Sequence, residues 1–268
     1  MIISARSAVP IGAAEVDLLC SAANAAPPFP LRIPSFGTTI HDRRFALKLA
    51  SEQLSARGLA DERGPLGVAE AFAYLLQECT LALDMVLSVG TDVMGAVLLA
   101  RQDIAVLTTQ QLTGDEPLRM AELRLDDAVD ELIGFVPPHE AAMTSPFSLP
   151  TGALDRVHRA LVERRERGTV TPAEWADLLG RHGIDDRTAR RLVSYLQPVL
   201  GNGQVGLATR AGYAMEWRRV GNELRWIDTE KGRFQLVAGS DDDWTNVNPM
   251  HSADLSAAVR RMAGELRG

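Results

Sequence analysis

Several stretches of this 268-residue chain carry residue types that could do chemistry. Gly201-Asn202-Gly203-Gln204-Val205-Gly206 spells the G-x-G-x-x-G of a dinucleotide-binding turn, with Asp228 further on. That turn binds pyrophosphate only when a strand precedes it and a helix opens after it. Here the pattern gives a helix before and a strand after, so no nucleotide cofactor is expected. The histidines, His41, His139, His158, His182 and His251, show no H-x-x-x-H spacing, and C-x-x-C is absent, so no metal site is expected. Gly-x-Ser-x-Gly is also missing, and with it the usual nucleophile elbow. His251, Ser252 and Asp254 lie close in sequence, but Ser252 reads as a helix cap and Asp254 as a first-turn acid favoured by the dipole. Cys20 and Cys79 sit in apolar helical patterns and read as buried thiols. No enzyme activity follows from these residues.

One basic stretch suggests a binding function. Thr171 to Leu196 reads as two helices around Gly183-Ile184-Asp185, the second carrying Arg187, Arg190 and Arg191. That arrangement resembles a helix-turn-helix and defines the alternative reading, a DNA-binding regulator through residues 171–196. Asp185 and Asp186 at the helix start repel phosphate, and the net charge of −7 lacks the positive field that nucleic acid needs. The bland reading, two bundle helices with solvated arginines, is preferred, and no nucleic-acid partner is expected.

The elements around these residues begin with a run of short strands from Gln204 to Pro249. Alternation predicts strands at Gln204–Thr209, Tyr213–Val220, Asn222–Thr229, Arg233–Ala238 and Trp244–Val247, with turns at Gly221-Asn222 and Lys231-Gly232. Upstream, Ile2–Val9 alternates as an opening strand, Ala13–Asn24 has helical composition, and prolines make 25–35 an extended connection. His41–Arg57 is a predicted helix with Phe45, Leu49, Gln53 and Ala56 near one face, stopped by Gly58. Leu66–Leu83 is a second helix, apolar on most sides and so buried. Strands follow at Met85–Val89, Val93–Arg101, Ile104–Thr109 and Leu118–Leu125, then a helix at Asp126–Gly134 capped by Asp126. Prolines mark 137–150 as a linker. Three helices follow, Leu154–Arg167, Thr171–Gly183 and Asp186–Leu200, and Ser252–Leu266 closes the chain. Thr171-Pro172-Ala173-Glu174 is a capping box with proline at N1.

Helix, glycine stop, helix, meander, helix thus occurs once before the linker and once after it. Gln53–Asp61 also reads like Leu178–Asp186, and Phe72–Leu75 like Val193–Leu196. The fold class expected is α+β: a central antiparallel sheet flanked by two helical subdomains, with pseudo-twofold internal duplication. One domain would span 1–268, with halves of about 1–136 and 151–268. Hydrophobic content of 46% and charged content of 24% suit a soluble globular protein. No apolar run reaches the ~20 residues that span a bilayer, and Met1–Pro10 lacks a basic stretch followed by an apolar one. A cytoplasmic protein without membrane insertion is expected.

Two motifs carry a family resemblance. Asp228-Thr229-Glu230-Lys231-Gly232-Arg233, within the hairpin that starts at Trp226, resembles the D-T-x-x-G-R turn of the EspG proteins. Trp244-Thr245-Asn246-Val247-Asn248-Pro249 resembles the family's W-x-x-x-x-P segment, with Met250 where a glycine usually follows. A fainter likeness extends over almost the whole length, including Leu54–Leu59 and the Val97–Thr109 hairpin. EspG proteins are cytosolic chaperones of type VII (ESX) secretion in actinobacteria. The resemblance implies a non-enzymatic protein without cofactor that covers the apolar helical tip of a PE–PPE-like heterodimer. It also implies a central antiparallel sheet with two helical subdomains and quasi-twofold symmetry. In this reading Asp228, Thr229, Gly232, Arg233, Trp244 and Pro249 are structural, with Arg233 pairing with Asp228 across the turn. Met215, Trp217, Leu224 and Trp226, aligned on the meander, are the candidate partner contacts.

Overall fold

The computed structural model describes residues 8–114, 116–153, 155–156, 159–160, 163, 171–210, 216–239 and 243–267. It divides into two compact units. The first comprises 1–137, 203–223 and 255–268, and the second 138–202 and 224–254.

In the first unit, β1 (Val9–Ile11) and α1 (Ala13–Ala22) lead through the proline connection to α2 (Ile40–Ala56). Thr39 caps α2 in a reciprocal box with Asp42. A short hairpin, β2 (Ala60–Asp61) and β3 (Gly64–Pro65), precedes α3 (Val68–Glu78). Then come β4 (Leu81–Val89), β5 (Asp92–Arg101), β6 (Ile104–Gln111), β7 (Leu118–Arg124) and α4 (Leu125–Gly134). Strands β4 to β7 pair antiparallel in sequence order, and β1 adds outside β7. The core on one face joins Val16, Leu19, Phe72, Leu75 and Leu76 of the helices to Ala82, Val97, Leu99 and Val106 of the strands. Two ion pairs fix α1 and α2: Arg43 with Asp17, and Arg57 with Glu15, which is almost fully buried.

The second unit contains β8 (Phe147–Pro150), α5 (Pro172–Arg181), α6 (Asp186–Leu196), β11 (Gly232–Ala238) and β12 (Trp244–Pro249). Strands β9 (Val199–Thr209) and β10 (Arg218–Thr229) have residues in both units. Helix α7 (Ser252–Gly264) and a 3-10 turn at Glu265–Arg267 end the chain. Strands β10, β11, β12 and β8 pair antiparallel. The second core gathers Leu149, Leu178, Leu179, Leu192, Leu196, Ile227, Phe234 and Val247. The hydrogen-bonded order over ten strands is β1-β7-β6-β5-β4-β9-β10-β11-β12-β8, so early and late meanders belong to one sheet, as expected.

Several predicted boundaries move, each for a physical reason. The predicted helix Leu66–Leu83 ends at Glu78, because Cys79 turns extended (φ −76°, ψ 134°) and Leu81–Leu83 enter β4. A short apolar run reads as helix or strand equally well. The N-cap of α4 is Arg124, not Asp126; Asp126 and Asp127 lie in the first turn, where the dipole favours them. Gly221-Asn222 is no hairpin turn. It lies inside β10, which runs unbroken from Arg218 to Thr229 with Gly221 at positive φ (64°) within the strand. Residues 137–150 are not a bare linker: Ala141 bridges Arg233, and 147–150 form β8. The helix predicted to Leu200 stops at Leu196, where Gln197 is extended before Pro198, and β9 begins at Val199. The G-x-G-x-x-G letters lie wholly within β9. Residues 1–7 and 211–215, most of Leu154–Arg167 and 240–242 lie outside the described residues.

Candidate partner-binding site

The D-T-x-x-G-R turn joins β10 to β11, with Thr229 opposite Gly232 and Asp228 opposite Arg233. Arg233 Nε and Nη2 donate to the two Asp228 oxygens at 2.6 and 2.8 Å, a bidentate pair almost wholly removed from water. This is the pairing the turn sequence suggested. Lys231 N donates to Thr229 Oγ1 (3.1 Å), and the single proton of that hydroxyl is shared between the carbonyls of Gly232 and Tyr195, each at 3.1 Å. Asp228 therefore braces the hairpin through the arginine, and Thr229 does so through the backbone. Gly232 has φ 117°, and a Cβ there would lie 2.5 Å from the Ala142 backbone. Segment 139–142 closes over this hairpin: Arg233 N donates to Glu140 O (2.7 Å), and His139 Nε2 donates to Thr229 O (2.8 Å). An open depression lined by His139, Met143, Lys231 and Ser252 flanks the turn. The motif residues are thus occupied in holding structure, and no sequence signal announced the part played by 139–142.

Alternation along the paired strands then sorts the second unit into two faces. Ile227, Phe234, Leu236, Val247, Phe147 and Leu149 face the helical core. The opposite face carries Gln235 and Val237 of β11, Trp244, Asn246 and Asn248 of β12, and Ser148 and Pro150 of β8. Trp244 is 51% exposed and Val237 36% exposed. Ser148 Oγ donates to Asn246 Oδ1 (2.7 Å), which fixes the polar group between them. This surface is a large aromatic with an aliphatic neighbour, ringed by amides and hydroxyls. It can dock a partner through burial of Trp244, and among its residues no nucleophile is paired with a base.

The predicted partner contacts fare differently. Trp226 is 1% exposed and Leu224 6%, so both are interior and offer no surface in this structure. Alternation predicted that these residues share a side but could not tell which stretch of that side is covered. Trp217 is half-buried, packs on the first core, and donates Nε1 to Ala26 O (3.1 Å) beneath the Arg210 guanidinium. Met215 lies outside the described residues. Trp244, assigned a structural role from its motif, is the exposed member, while Pro249 ends β12 opposite Phe234.

The helix pair of the alternative reading exists as α5 and α6, but its three arginines do not form one groove-facing row. Arg191 turns back over the Phe147 ring at 5.9 Å, and Asp186 lies 3.8 Å from Arg190. Asp185 caps α6 through the amides of Thr188 and Arg187, each at 2.9 Å, and the bonds from the Thr188 amide and hydroxyl above all hold its carboxyl below the usual range. No group of three or more metal-binding side chains converges among the described residues. Cys20 and Cys79 are buried, and burial pushes their thiols up to about 12 and about 11. No described helix is long and apolar enough to cross a membrane.

The structure thus defines an α+β protein whose D-T-x-x-G-R motif braces a hairpin and whose second unit leaves Trp244 exposed on one sheet face. A family model described as the EspG family matches residues 13–261, so the chain belongs to the EspG family. Among solved structures it is similar to the type VII secretion system chaperone EspG5 of Mycobacterium tuberculosis, determined in complex with a PE25-PPE41 dimer. The TM-score is 0.58 with 95% of each chain covered, and at 14% identity the likeness is one of fold. No curated protein matches it in sequence.

Proposed function

We propose that this chain is a cytosolic chaperone of type VII (ESX) secretion that binds the helical tip of a PE–PPE-type heterodimer and keeps it soluble for export. The observation that carries the reading is membership of the EspG family over residues 13–261, joined to the shared fold with a chaperone solved on its PE–PPE dimer. The physical logic is that an apolar helical tip left in water associates with itself unless covered. The face around Trp244 and Val237 supplies the cover, because an exposed tryptophan with a polar rim is the composition of an interface centre. The protein acts without bond-making chemistry, and the order of elements in its halves reflects a duplication.

Co-expression with the PE–PPE-like pairs of the same genome tests this. A stable three-chain species on gel filtration is expected with at least one pair. Failure with every pair overturns the proposal.

A further inference from the structure

Asp84 stands in the middle of β4, opposite Val97 of β5, and is fully buried. One of its carboxylate oxygens accepts a hydrogen bond from Arg219 Nη1. The other has no hydrogen-bond partner among the described residues. Arg219 belongs to β10, and β9 lies between β10 and β4 in the sheet. The arginine crosses β9 at Gly206, where a methyl group would fall 2.2 Å from Nη1 and 2.7 Å from Cζ, so a larger residue there would have to displace the guanidinium. The Phe29 ring lies 5.3 Å from the guanidinium, and Glu223 Oε1 is 2.9 Å from Nε. Glu223 sits on β10 itself, so its bond to Arg219 ties nothing to β4. The first residues of β10, a strand already hydrogen-bonded to β9 in the sheet, are thus also linked across it to β4 by one side chain gripping one interior carboxylate.

We propose that Arg219 and Asp84 form a proton-sensitive latch that fastens the start of β10 to β4 and opens when Asp84 takes up a proton. The charged groups that face Asp84 are Arg219 and Glu223; β5 presents Val97 and β9 presents Gly206. Burial pushes the Asp84 carboxyl up, the Arg219 hydrogen bond and charge pull it down, Glu223 adds a smaller push up, and the net value is about 6. The group thus changes charge across the mildly acidic range. A neutral Asp84 needs no guanidinium beside it. Arg219 keeps Glu223 and Phe29, is already partly open to solvent, and turns outward. The whole chain binds the proton readily while this one tether is given up.

Amide hydrogen exchange over Arg218–Glu223, corrected for intrinsic rates, reads the latch in the full-length protein. Protection there is expected to fall at least about threefold between pH 7.5 and pH 5. The Asp84→Asn protein should show the lower protection at both pH values. The more conservative probe for folding is Arg219→Gln, at a partly exposed side chain, with the same low protection expected at both. Carbon-13 titration of the Asp84 carboxyl should show a midpoint near 6, moved upward in Arg219→Gln. Protection that does not change with pH overturns the latch. So does an unchanged pH response in Asp84→Asn, or wild-type protection in Arg219→Gln.

Discussion

Replacing Arg233 by methionine should be among the most damaging single changes in the second unit. The side chain is 1% exposed and holds both oxygens of Asp228, which is itself buried. Methionine preserves much of the volume and all of the backbone bonding, in which Arg233 donates to Glu140 O and accepts from the Met250 and Ala142 amides. What is lost is the countercharge. Leaving one member of a buried ion pair alone costs about 3–5 kcal/mol. For a chain of this size that corresponds to a melting temperature lower by roughly 6–20 °C. Replacing both partners, as Asp228→Leu with Arg233→Met, removes the orphaned charge, and the pair of changes should be far milder than either alone. Urea unfolding of the four proteins, followed by circular dichroism and by the fluorescence of neighbouring Trp226, closes a double-mutant cycle. A coupling above about 2 kcal/mol is expected. Single losses below about 1 kcal/mol, or strict additivity, would refute the claim that this pair braces the hairpin.

Gly232→Ala should destabilise by more than the ordinary ~1 kcal/mol of a left-handed glycine, since its Cβ meets the Ala142 backbone as well; thermal melts measure it, and a neutral outcome contradicts the close approach. Trp244→Ala should leave stability within about 1 kcal/mol, whereas Trp226→Ala should cost about 3–5 kcal/mol; equal effects would contradict the assignment of one to the surface and the other to the interior. The Asp84 carboxyl, raised to about 6 from 3.8, lets the native chain bind more protons between these values. Its contribution to stability is therefore greatest below about pH 4 and falls as pH rises through 6, by an amount on the order of 1–3 kcal/mol. Urea unfolding at pH 5 and 7 should show this decline in the wild type and its loss in Asp84→Asn.

Sequence patterns located the sheet well, because alternation and two-residue turns are local signals. The hairpins at Gly90-Thr91 and Gln102-Asp103 fall where turn chemistry puts them. So does the Thr171–Glu174 cap of α5. The turn expected at Lys231-Gly232 falls one residue earlier, at Glu230-Lys231, because Gly232 already pairs with Thr229 in the ladder. What the letters could not convey was which apolar residues end up covered. Phe45 and Leu49 share a face of α2, yet Phe45 is 72% exposed, while Ala50 and Leu54 on the other side make the contact with the core. Trp226 and Trp244 look alike in the alternating pattern, and only tertiary packing separates the interior one from the exposed one. The salt bridge of Asp228 with Arg233 was legible because the partners are cross-strand neighbours. The bond of Asp84 with Arg219 was not, since 135 positions separate them.

The claim that matters most is that this chain works by covering another protein, and titration of a purified PE–PPE dimer from the same genome, followed by sedimentation velocity, tests it directly. Saturation at one chain per dimer is predicted, with Trp244→Ala weakening the affinity at least about tenfold, as loss of a central interface tryptophan does. No association at any concentration with any such dimer would contradict the account.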